Sequence, residues 1–137
     1  MDSIATNQNL LPSFVKQAFE KQCIKLIGGN QLFSLLDVRD AASALISLCK
    51  LEPAYWKQCY NVGINRCVYN LKELAQITAK ISEKYGSGKV NIILEESNIE
   101  AFAGMDSTTF MRDTGWEPRY FIEDIVERVV IEYLGIN

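Results

Sequence analysis

Residues Gln58 to Ala75 read QCYNVGINRCVYNLKELA, and they constrain the chain more than any other stretch. The apolar run Gln58–Val62 predicts a strand, and a short loop containing Gly63 follows it. Asn70-Leu-Lys-Glu73 then has the pattern of a capping box, in which Asn70 satisfies an early helix amide and Glu73 reaches back. The helix it opens is predicted over Leu71 to Tyr85, with Leu71, Leu74, Ala75, Thr78, Ile81 and Tyr85 on one face. A strand delivered into a capped helix has the layout of a nucleotide-cradling turn. One glycine, however, is too few for backbone to wrap a pyrophosphate.

The same alternation recurs along the chain. LLPSFVKQAFEK, Leu10 to Lys21, predicts a helix with Pro12 in its first turn and Phe14, Val15, Ala18 and Phe19 on one side. CIKLIGG predicts a short strand closed by Gly28 and Gly29, and LFSLLDV is a second apolar run. RDAASALISLCKL carries Ala41, Ala44, Leu45, Leu48 and Cys49 at helical spacing, with Asp37 or Asp40 placed to cap it. KVNIILEE reads as a further strand. In the tail, a short helix starts at Asp106 or Ser107 and stops at Gly115 in a left-handed conformation. Trp116 then packs back on Met111, and a final helix covers Ile122 to Leu134 with Ile125, Val126, Val129, Val130 and Tyr133 on its apolar face. Alternating helices and strands define an α/β or α+β domain.

Composition removes several function classes. The 137 residues suit one domain, and a chain of this size buries roughly 70% of its unfolded surface. A net charge of −3 with Lys and Arg scattered offers no basic patch for nucleic acid or an anionic membrane. No apolar run reaches the ~18 residues of a membrane span. Histidine is absent, which removes Ser–His and Cys–His nucleophile chemistry. Cys23, Cys49, Cys59 and Cys67 have no metal-finger spacing, so no metal site is expected. They read as reduced, half-buried residues of a cytoplasmic protein.

Five fragments appear in an order that resembles the C-terminal part of extended short-chain dehydrogenase/reductases, the NAD(P)-dependent nucleotide-sugar epimerases and dehydratases. They are NLLP (Asn9 to Pro12), QLFSLLDVRD (Gln31 to Asp40), YNVG (Tyr60 to Gly63), ELA (Glu73 to Ala75), and Asp106 with Thr108, Gly115, Trp116 and Pro118. The resemblance implies an α/β (α+β-like) substrate-binding subdomain with a small mixed sheet and about five helices. It implies a single unit over 1–137 that lacks the N-terminal Rossmann cofactor domain. NAD or NADP then belongs to the full-length parent, with no cofactor or catalytic residue in this chain. No GxxGxxG turn occurs, and the family's catalytic Tyr-x-x-x-Lys pair is placed upstream of residue 1.

By family position, Asn9 and Leu10 contact the diphosphate or base of a nucleotide sugar, and Lys25 and Ile27 line the base slot. Phe33 stands where the family has a diphosphate-gripping Arg, and Glu95 and Glu96 fall near a second expected Arg. That exchange disfavours an ordinary diphospho-sugar. It keeps open a non-catalytic ligand-binding or regulatory module built on the same half-fold. Asp40 reads as a helix cap rather than an acid/base, and the Asp106–Thr109 run likewise as a cap. The helix AASALISLCKL and the YNVG strand are expected to face the missing cofactor domain. Cut free, they expose an apolar patch and an unpaired strand edge that favour a homodimer.

Overall fold

Helix α1 (Leu10–Lys21) buries Leu11, Phe14, Val15 and Ala18, the stripe that its helical spacing requires. It leads into strand β1 (Cys23–Ile27), where burial alternates residue by residue: Ile24 and Leu26 face the core, Lys25 and Ile27 face outward. The computed structural model describes residues 10–64, 69–98 and 104–136. Strand β2 (Leu32–Phe33) follows the glycine turn, and helix α2 spans Val38–Lys50. A single 3₁₀ turn occupies Pro53–Tyr55. Strand β3 (Tyr69–Asn70), helix α3 (Leu71–Lys84), strand β4 (Asn91–Glu95), helix α4 (Thr108–Thr114) and helix α5 (Ile122–Leu134) complete the order.

The strands form two small sheets rather than one mixed sheet. β1 pairs with β4 in parallel, Cys23 opposite Asn91 through Ile27 opposite Glu95. β2 pairs with β3 antiparallel, Leu32 opposite Asn70 and Phe33 opposite Tyr69. Helices α1 and α3 cover the inner face of the β1–β4 pair, and α5 packs on both helices. Their shared core contains Val15, Ala18, Ile24, Leu26, Leu74, Ala75, Val126 and Val130. Each Val, Leu or Ile so buried is worth about 1.5–3 kcal/mol, and truncating Leu74 to Ala would cost about 2–5 kcal/mol.

Local chemistry sets the boundaries. The capping box forms: Asn70 Oδ1 accepts from Glu73 N at 2.8 Å, and Glu73 Oε2 accepts from Asn70 N at 2.9 Å. Gly115 adopts the left-handed conformation (φ 71°) and donates its N–H to Met111 O at 2.8 Å, so α4 stops where the sequence marks it. Trp116 then folds back, ring against Phe110 at 5.7 Å, with its indole N–H on Ser43 Oγ at 2.8 Å. Ala44, Phe110 and Trp116 form a second, smaller core, and Tyr60, Val62 and Met111 pack against it.

Three expectations need correction. Gln58–Val62 forms no strand among the described residues, because a strand needs a ladder partner and none lies beside it. Asp37, not Asp40, caps α2: its carboxylate accepts from Arg39 N at 2.8 Å. Cys49 and Cys59 are exposed rather than half-buried, Cys49 in the last turn of α2 and Cys59 in the segment after the 3₁₀ turn. Only Cys23 is half-buried, and Cys67 lies outside the described residues.

Candidate functional site

The sequence-derived binding residues separate into two places. Asn9 lies outside the described residues. Leu10 and Phe33 meet on the inner side, where with Leu11, Ser34, Leu35 and Leu74 they line a cavity of about 20 Å³. Such a space holds about one water molecule. Phe33 is 8% exposed and belongs to the main core, so its ring fills space between α1 and α3. Lys25 and Ile27 lie on the opposite, outer face of the β1–β4 pair, in register with Ile93 and Glu95. Ile27 is 52% and Ile93 49% exposed, which makes a flat apolar strip between one cation and one carboxylate.

A larger recess was not singled out in the sequence. Helix α2 and residues 56–62 enclose a groove of about 500 Å³, within the usual range for small-molecule or docking clefts. Its walls are Leu36, Ala41, Ala44, Leu48, Val62 and Phe110. The α2 stripe that builds one wall was legible. What was not legible is that only Asp40 and Ala44 of that helix become buried, leaving Val38, Leu45 and Ile46 open.

One polar cluster closes the groove's end. Lys57 Nζ approaches Asp113 Oδ2 at 2.6 Å, and the Tyr60 hydroxyl donates to the same oxygen at 3.0 Å. The Lys57 ammonium holds the Asp113 carboxyl below its ordinary range. The cluster therefore pins residues 57–60 to α4.

Other charged candidates are structural too. Asp40 is 1% exposed, and its carboxylate accepts from Arg119 N at 3.0 Å and Tyr120 N at 2.9 Å, tying α2 to the entrance of α5. Asp37 accepts two further bonds from the Arg39 guanidinium, each 2.9 Å, and that pairing holds its carboxyl below the usual value. Asp106 Oδ1, one residue before the N-cap Ser107, accepts from Thr108 N at 2.9 Å. Ser107, fully buried, instead donates its hydroxyl to Gly63 O at 3.0 Å.

Tyr85 is followed four residues on by Lys89, the spacing of a Tyr-x-x-x-Lys pair. Helix α3 ends at Lys84 and the Gly86-Ser87-Gly88 turn intervenes, so the two do not share a helix face. The Tyr85 hydroxyl donates to Glu127 Oε1 at 2.7 Å, and that bond raises its pKa. This is not an activated tyrosine–lysine pair.

The Gly28-Gly29 turn offers no cradle for a dinucleotide phosphate. At Gly28-Gly29 the Gln31 side chain fills the loop: Gly29 N donates to its Oε1 at 2.6 Å, and a Cβ on Gly28 would lie 2.5 Å from its Nε2. Gly63 is spent against Met105, 3.3 Å from where its Cβ would stand. Among the described residues there is no group of three or more His, Cys, Asp or Glu side chains that could hold a metal. No helix there is long and apolar enough to cross a membrane.

No family model and no curated protein matches the sequence. The fold does match solved structures. RMD from Pseudomonas aeruginosa complexed with NADPH superposes with a TM-score of 0.75 at 18% identity, over 98% of this chain and 44% of that one. ADP-L-glycero-D-manno-heptose-6-epimerase from Helicobacter pylori gives 0.75 at 16%, over 96% and 40%. dTDP-glucose 4,6-dehydratase from Bacillus anthracis in complex with NAD gives 0.73 at 22%, over 92% and 39%. The chain thus has the fold of one portion of such epimerase and dehydratase structures. It spans 39–44% of their length.

Proposed function

We propose that this chain is the substrate-binding, C-terminal portion of an NAD(P)-dependent nucleotide-sugar epimerase/dehydratase-like enzyme, not catalytically competent by itself. The observation that carries this reading is the pairing of a near-complete fold match with partial coverage: 98% of this chain against 44% of an NADPH-complexed enzyme. Two features support it. Residues 58–62 pair with no strand among the described residues, and α2 turns Val38, Leu45 and Ile46 outward. Both suit contact with a Rossmann domain carrying NAD or NADP, to which the parent's hydride transfer belongs.

In this proposal the Lys25/Ile27 strip receives the nucleotide half of the substrate, and Asn9, Leu10 and Phe33 carry the same assignment by sequence position alone. A flat apolar strip flanked by one ammonium suits a base or ribose. Labelled chain titrated with UDP-, dTDP- and ADP-sugars should show amide shifts at Lys25, Ile27 and Leu10. No shift at any of the three in millimolar ligand would sink the reading.

A second reading, a non-catalytic ligand-binding or regulatory module, is favoured by one observation. Phe33 is buried where a diphosphate-binding cation was expected, and Glu95 and Glu96 are exposed carboxylates. Stronger binding of an uncharged nucleoside than of its diphospho-sugar would select it.

A further inference from the structure

The two edges of the parallel β1–β4 pair are treated differently. Asn91 N donates to Gln22 O and Gly28 N to Glu95 O, so odd-numbered residues of β4 point their backbone groups toward β1. In β1 the same alternation turns Lys25 and Ile27 toward the outer edge. Side chains occupy both positions: Gln17 Oε1 accepts from Lys25 N at 3.0 Å, and Gln31 Nε2 donates to Ile27 O at 2.7 Å. The β1 edge is closed by its own chain.

Among the described residues the β4 edge has no such closure beyond its first position. Val90 N is taken by Glu83 Oε1 at 2.8 Å, which seals the entrance of the strand. Beyond it, the N–H and C=O groups of Ile92 and Leu94 face away from β1, and among the described residues β1 is the only strand paired with β4. The strand is apolar on both faces, with Ile93 49% and Leu94 43% exposed. It carries no proline, bulge or lysine within Asn91–Glu95, the devices that usually keep an edge solitary.

We propose that β4 is a self-pairing edge through which two copies of this chain join antiparallel about a two-fold axis at Ile93. In that register Ile92 and Leu94 exchange backbone hydrogen bonds with the partner's Leu94 and Ile92. Ile93 meets its counterpart as a non-hydrogen-bonded pair, Cα atoms about 4.5 Å apart. Charge supports the second copy as the occupant. Lys89, exposed just before the strand, lies diagonally across from the partner's Glu95, within reach of a cross-strand ion pair. Asn91 stands opposite the partner's Glu95 and can donate to it. Parallel self-pairing would instead stack Glu95 and Glu96 beside their own copies. The result is a continuous sheet of order β1–β4–β4–β1, whose outer face joins the Lys25/Ile27 strips of both subunits. The inference does not depend on the functional reading above.

Sedimentation of the whole chain tests it. The wild type should run at twice 15.5 kDa, and Ile93→Lys, which puts two ammonium groups on the axis, should run as a folded monomer by circular dichroism. Lys89→Glu should weaken association several-fold, and Lys89→Glu with Glu95→Lys should restore it, a reciprocity that loss of strand stability cannot mimic. Leu45→Lys, on the open face of α2, should leave the dimer intact. A wild type that is monomeric at every concentration, a dimer that survives Ile93→Lys, or one abolished by Leu45→Lys overturns the proposal.

Discussion

The Ser107 hydroxyl donates to the Gly63 carbonyl at 3.0 Å, joining the YNVG corner to the entrance of α4 across 44 positions of sequence. Ser107 is fully buried, and Met105 packs where a Cβ on residue 63 would stand. The corner is therefore a joint between segments.

Removing that joint should be measurable. Ser107→Ala leaves a buried carbonyl without this donor and should cost about 1–3 kcal/mol in urea unfolding. Gly63→Val, with a branched chain against Met105, should cost at least as much. An unchanged midpoint in both variants would show that the corner is not held this way.

Asp40 offers a sharper case, because its carboxylate accepts from the backbone amides of Arg119 and Tyr120. Bonds to a charged acceptor contribute about 1.5–3 kcal/mol each. Asp40→Ala should therefore be among the most damaging single changes outside the main core, and Asp40→Asn should recover part of the loss. Equal stability of Asp40→Ala and wild type in thermal melts contradicts the clamp.

Restoring the expected cation at position 33 should fail. Phe33→Arg places an unpaired charge among Leu71, Leu74 and Leu11, and it should destabilise by roughly 3 kcal/mol or more. A stable Phe33→Arg that gains affinity for a diphospho-sugar would return this position to the surface of a binding site.

Acid should act through Asp37. Its carboxyl sits below the ordinary 3.8 because the Arg39 guanidinium bonds to it. A depressed folded pKa contributes stability that is fully present above the unfolded value and is lost as pH falls through the folded one. Unfolding free energy should thus decline as pH drops below about 4, and Asp37→Asn should flatten that slope in pH-dependent denaturation. A slope identical in both proteins counts against the pairing.

How legible was this in the sequence? Elements with local signals were read closely: the Asn70–Glu73 box, the Gly115 stop, and the α1 stripe of Phe14, Val15 and Ala18. Each depends on residues within a few positions of one another. Partners chosen over distance were not legible. Whether Asp37 or Asp40 caps α2 depends on where residues 119–120 pass, and whether Gln58–Val62 becomes a strand depends on a neighbour. Leu45 and Ala44 share one apolar stripe, yet only Ala44 finds Phe110 and Trp116 to cover it. The shared outward facing of Lys25 and Ile27 follows from strand alternation. Phe33 turned inward because its two-residue strand pairs with Tyr69–Asn70 under α1 and α3.

The unequal size of the two cores has a consequence for the order in which the molecule opens. The main core joins three helices to the parallel pair, whereas Ala44, Phe110 and Trp116 hold α2 and α4 with few fully buried neighbours. Amide exchange should therefore begin in α2 and α4 while α3 and α5 stay protected. The groove beside α2 then belongs to the first unit to loosen. Whatever seats there would announce itself by slowing exchange across that helix.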